Sequence, residues 1–116
     1  MARPKDIGTA RETWFVKKAQ AAGLEARRAP NNAKSEDVLI RVGDREIVHE
    51  VKDRAALSIH QVLKDTVAEH GYQAGVLWHR KKKAGKTRVP AGPTLVAVTV
   101  DRYLELLKME ADHDRV

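Results

Sequence analysis

At 116 residues and 13.0 kDa, with 42% hydrophobic and 33% charged residues, the chain reads as one folded, soluble domain rather than a disordered segment. The absence of cysteine excludes a disulfide framework or a Cys-based zinc site; no apolar run nears the roughly 20 residues of a membrane span, and no signal-peptide h-region opens the chain, so a cytoplasmic protein with no membrane partner is expected. A net charge of +6 and a pI near 9.8 point to a polyanionic partner, most simply nucleic acid.

In chain order, Thr9 to Ala22 reads as a helix, capped by Thr9 and stopped by Gly23. Leu24 to Arg28 reads as a short strand, followed by a polar loop from Ala29 to Glu36. Two β-prone runs, Asp37 to Val42 and Arg45 to Lys52, flank Gly43-Asp44, the signature of a two-residue hairpin turn. If Val42 faces Arg45, then Arg41 faces Glu46, Leu39 faces Val48 and Asp37 faces Glu50. Facing side chains share one side of the pleat, so Asp37, Glu50 and Lys52 all project from the same face. The opposite face carries Val38, Ile40, Val42, Ile47 and Val51, broken by Arg45 and His49. Like charges directly opposite one another are destabilising, and such a pair is best tolerated around a cation. Two acids and a lysine about one point are the apparatus of metal-dependent phosphodiester hydrolysis; the plain alternative is an incidental acidic pair screened by Lys52.

Ser58 to His70 reads as a second helix with Gly71 as its C-cap, Ala74 to His79 and Thr94 to Val98 as strands, and Asp101 to Glu110 as a closing helix with Tyr103, Leu104 and Leu107 on one side. Between those strands, residues 80–93 carry Arg80, Lys81, Lys82, Lys83, Lys86 and Arg88 among glycines and prolines, which predicts an extended phosphate-contacting arm. Arg27 and Arg28 are further candidate phosphate contacts. His49 is expected in the core or at an interface, and Trp14 and Trp78 as core fillers. The order α-β-β-β-α-β-β-α predicts an α/β (α+β) fold, a mixed sheet flanked by helices, in a single domain spanning 1–116 with its core at about 8–107.

The pieces Gly8-Thr-Ala-Arg-Glu12, Gly23-Leu-Glu-Ala-Arg-Arg28, Asp37, Glu50-Val-Lys52 and Gly75 to Lys83, in this order and spacing, resemble the PD-(D/E)xK nuclease superfamily. Within it the chain is most similar to archaeal-type Holliday junction resolvases and their small phage relatives. Two departures stand out: Glu36 takes the place of the leading proline, and Asn31-Asn32-Ala33-Lys34-Ser35 replaces a glycine-rich loop. The resemblance implies a restriction-endonuclease-like fold and Mg²⁺ or Mn²⁺ held by Asp37, Glu50 and the Val51 carbonyl. It also implies that Lys52 and Glu12 are catalytic. Glu12 has a second reading, since Thr9-x-x-Glu12 fits a capping box, and Ser58-x-x-Gln61 fits another. The activity implied is structure-specific cleavage of branched DNA, four-way junctions foremost, by a homodimer. A nicking or end-processing nuclease, an RNA-processing nuclease and a non-catalytic DNA-binding module stay open.

Overall fold

The computed structural model describes residues 4–30 and 37–114, and the side chains of all of these except 4–8, 82–84 and 88. Helix α1 (Pro4–Ala21) leads into β1 (Glu25–Arg28), then β2 (Val38–Val42) and β3 (Arg45–Asp53). Helix α2 (Ile59–His70) precedes β4 (Gly75–His79), β5 (Lys81–Ala84), β6 (Thr87–Pro90), β7 (Leu95–Ala97) and α3 (Val100–Asp114). Five strands form one mixed sheet in the order β1-β2-β3-β4-β7, while β5 and β6 pair separately. Strands β3 and β4 run parallel, which requires a crossover, and α2 is that crossover. The fold is a five-stranded mixed sheet flanked by helices, as the residue pattern predicts.

The β2–β3 register is the expected one. Val42 pairs with Arg45, Arg41 with Glu46 and Leu39 with Val48, across a turn in which Gly43 takes a φ of +64°. The pleat then sorts the side chains. Val38, Ile40 and Val51 face α1, where Ala19, Phe15 and Val16 pack on them to form the core. His49 shares this face and meets Phe15 edge-on, with ring centroids 5.4 Å apart. Its burial holds the imidazole down to about 4, so His49 is a neutral packing residue. Gly75 lies beside it, and a Cβ at that position would come within 3.3 Å of both the His49 ring and the Ala97 carbonyl.

Four expectations from the sequence need correction. Helix α1 begins at Pro4, five residues before Thr9, because proline at a first helical position sacrifices only an N–H that lacks a partner anyway. The basic segment 80–93 is not irregular: β5 and β6 form a hairpin, with Ala84 on Thr87 across a Gly85-Lys86 turn. Trp14 is no core filler, being exposed under Arg11 and Lys18 at 5.1 and 5.8 Å from the ring. Helix α3 runs to Asp114, four residues past the expected Glu110; Tyr103, Leu104 and Leu107 are exposed, while Arg102 is its buried residue. Polar ties seat this helix: Thr99 accepts the Arg102 N–H at 3.2 Å, and Glu105 pairs with Arg102 and takes the Tyr72 hydroxyl.

Candidate active site

Asp37 stands one residue before β2, and the ladder ends at Val38 facing His49. One further step of the same register sets Asp37 across from Glu50. The side chain continues where the backbone ladder stops: the Asp37 carboxylate accepts the Val51 N–H at 2.7 Å. A strand residue sends its N–H and C=O towards the same edge, so the Val51 carbonyl also leaves on the Asp37 side. On the next pleat, Glu50 Oε1 and Lys52 Nζ are 3.0 Å apart, and both side chains are mostly shielded from solvent. They line a recess of about 250 Å³ between β3 and α2, together with Val62, Asp65, Thr66 and Glu69.

Glu12 enters from α1. Burial and then the negative charge of Asp37 raise its carboxyl above the ordinary glutamate value, while Arg28 opposes the shift. The Arg28 Nε lies 3.4 Å from Glu12 Oε1, and its Nη2 reaches the Thr9 hydroxyl at 3.4 Å. Thr9 sits inside α1, so the Thr9–Glu12 capping box does not form. The second capping box is also absent. Ser58 makes no side-chain cap bond, and Gln61 donates instead to Asp65 at 2.9 Å.

Among the described residues, no three His, Asp or Glu side chains already converge as a closed metal cage. The donors present nonetheless fit a small, hard cation. Mg²⁺ keeps several waters and is typically held by one or two carboxylates, and Asp37 and Glu50 offer oxygen donors on adjacent strands. Burial is the first cause of the raised Glu12 carboxyl and the negative charge of Asp37 the second, and a cation placed here would relieve the second.

The candidate phosphate contacts are placed unequally. Arg27 is engaged by Glu46 through two bonds of 2.9 Å, and Arg28 by Glu12. Arg80 donates to the Ala55 carbonyl at 3.2 Å, and Lys81 pairs with Asp53 at 3.3 Å. Lys86 is exposed at the hairpin turn, whereas the side chains of Lys82, Lys83 and Arg88 lie outside the described set.

Asp53 is the residue that reading the sequence passes over. It ends β3 on the α1 face, with its side chain only 5% exposed, held by Arg11 at 3.4 Å and Lys81 at 3.3 Å. Its neighbour in register is His79, also buried, whose Nδ1 meets the Thr94 hydroxyl at 2.8 Å. The available signal was periodicity: Asp53 follows His49 and Val51 on the buried side of the pleat, where an acid needs partners.

No protein-family model matches the sequence, and no curated protein matches it significantly. Among solved structures the chain is similar to Archaeoglobus fulgidus Hjc, a Holliday junction resolvase from an archaeal hyperthermophile. The match has 19% identity and a TM-score of 0.42, and covers 84% of this chain and 88% of that one. At that level the likeness decides neither chemistry nor substrate.

Proposed function

We propose that this chain is a metal-dependent DNA endonuclease of restriction-endonuclease-like fold that acts on branched DNA, four-way junctions foremost. The observation that carries the reading is Asp37, held by the Val51 N–H, set beside the Glu50–Lys52 pair with Glu12 within reach of its charge. Asp37, Glu50 and the Val51 carbonyl would hold Mg²⁺ or Mn²⁺. Such an ion, when bound, polarises a phosphate and makes a water a better nucleophile.

The remaining work falls to the chain's own groups. Lys52 is paired with Glu50 at rest; once Glu50 turns to a cation, its ammonium is free to donate to the phosphoryl oxygens as charge builds there. Glu12 adds a carboxylate near Asp37 to orient a water. The β5–β6 hairpin brings Lys82, Lys83, Lys86 and Arg88 to the sugar-phosphate backbone, contacts that position DNA without reading its sequence.

Resolving a junction takes two symmetric cuts, which one such site supplies only as a two-fold dimer. Exposed Leu95 and Val96 on the edge strand β7, with Val100, Tyr103, Leu104 and Leu107 on α3, support that surface as the meeting point of two copies.

The test is cleavage of an end-labelled immobile junction and a matched duplex, each with Mg²⁺ or chelator. Symmetric nicks in the junction alone, abolished by chelator, are the expected result. Cutting of both substrates makes the chain a less selective nuclease of the nicking or end-processing kind. Tight binding with no cutting under any divalent metal makes it a non-catalytic DNA-binding module and overturns the reading.

A further inference from the structure

The basic hairpin leaves the sheet directly after β4, yet its root does not hang from the chain alone. Lys81, the first residue of β5, reaches back to the buried Asp53 at the end of β3, 3.3 Å away. Asp53 is held from the other side by Arg11 of α1, at 3.4 Å. Arg80 is tied to the Ala55 carbonyl at 3.2 Å, and the returning strand is closed by the Ala91 N–H on the Arg80 carbonyl at 2.9 Å. Asp53 thus links helix, sheet and hairpin. Strand β3 also carries Glu50 and Lys52, so the anchor lies three residues from the one and next to the other on a single rigid element.

We propose that Asp53 is a positioning residue: it locks the root of the β5–β6 hairpin to the sheet, so that the cationic hairpin meets nucleic acid at a fixed distance from Asp37, Glu50 and Lys52. The DNA half of this statement rests on the proposed function, whereas the anchoring half does not. A second hairpin anchor of this kind would be redundant if the arm only gathered phosphates, because loose cations do that equally well. A fixed arm instead measures the distance from the held backbone to the bond that is cut.

The chain has no cysteine, so two spin labels can be placed cleanly at the exposed positions Lys17→Cys on α1 and Lys86→Cys at the hairpin turn. In the labelled parent the distance distribution is a single narrow peak. Asp53→Asn and Lys81→Met each lose that peak to a broad distribution. Should Asp53→Asn fail to fold, Lys81→Met carries the test, since Lys81 reaches solvent at the rim of the cluster. A narrow distribution that persists in the folded variants overturns the proposal.

Cleavage by unlabelled protein gives the functional readout. Asp53→Asn removes a negative charge, so electrostatics alone would tighten DNA binding and leave the cut in place. Positioning predicts the reverse pattern: KM unchanged or lower, kcat reduced, and cuts spread over neighbouring phosphates. Cuts that stay at the parental phosphate with parental kcat in a broadened hairpin contradict the positioning role. If the parent cuts no DNA at all, the nuclease reading falls, and the spin-label distances still decide whether Asp53 anchors the hairpin.

Discussion

Two acidic sites are built on different terms: one gathers Asp37 and Glu12 beside Glu50 of β3, and the other is Asp53, three residues beyond Glu50 on the same strand. At Asp53 the carboxylate is buried and met by two cations, Arg11 and Lys81. At Asp37 the neighbouring groups include a second carboxyl, Glu12, whose proton affinity rises partly because Asp37 is there. A paired acid stabilises the fold, whereas acids gathered on one another cost stability that Arg28 on Glu12 and Lys52 on Glu50 only partly offset. That cost is the expected mark of a binding site, while charge pairing of a buried acid with two cations is the mark of structure, even though Asp53 Oδ1 has no hydrogen bond of its own among the described residues.

The sharpest way to break this contrast is to remove Lys52. Lys52→Ala is expected to lower single-turnover cleavage about 10³-fold while leaving junction affinity near the parent value, read by gel shift in chelator. A fully active variant would remove the site from this end of β3. The next effect belongs to the buried, structural side. His49 has its proton affinity depressed to about 4, chiefly by burial, so the unfolded chain takes up a proton that the folded one refuses. Stability from this source is complete above pH 6.5, declines as the pH falls towards 4, and amounts to at most about 3 kcal/mol. Urea titrations across that window should show the decline, and His49→Phe should flatten it.

Asp53→Asn comes next. Breaking a buried pair can cost about 3–5 kcal/mol, but both partners here reach solvent, so about 2 kcal/mol is expected from urea unfolding. Glu12→Gln should show the smallest effect and the opposite sign. The raised Glu12 carboxyl makes the metal-free fold lose stability as pH rises from the ordinary glutamate value through the folded one. Removing that charge should therefore stabilise the metal-free protein at pH 7, by less than about 1 kcal/mol. A loss of stability in Glu12→Gln comparable to that in Asp53→Asn would erase the distinction between the two sites.

What the residues disclose follows the same division. The β2–β3 pairing was legible because a two-residue turn fixes the register and the alternation of apolar and charged residues admits no slip. That register alone sets Asp37 near Glu50 and Lys52. The β5–β6 hairpin obeys the same rule around Gly85-Lys86, but the density of lysines masks it, since like charges suggest an extended arm. Both capping boxes misled for a local reason: Pro4 starts α1 upstream of Thr9, and Asp65 takes Gln61. Asp53 escaped notice because its meaning depends on Arg11, 42 residues away, and on Lys81, contacts that no short-range pattern encodes. The outward apolar side of α3 was hidden likewise, because the helix is seated by Arg102, Glu105 and Tyr72 instead of by its leucines.

The measurement that bears most directly on the contrast is a Mn²⁺ titration followed by electron paramagnetic resonance, on the parent, Asp37→Asn and Asp53→Asn. The parent and Asp53→Asn should each bind the ion, with affinity falling as the pH drops and the carboxylates take up protons, while Asp37→Asn should lose it. Equal binding by Asp37→Asn, or loss of the ion in a folded Asp53→Asn, would contradict the assignment of the two sites.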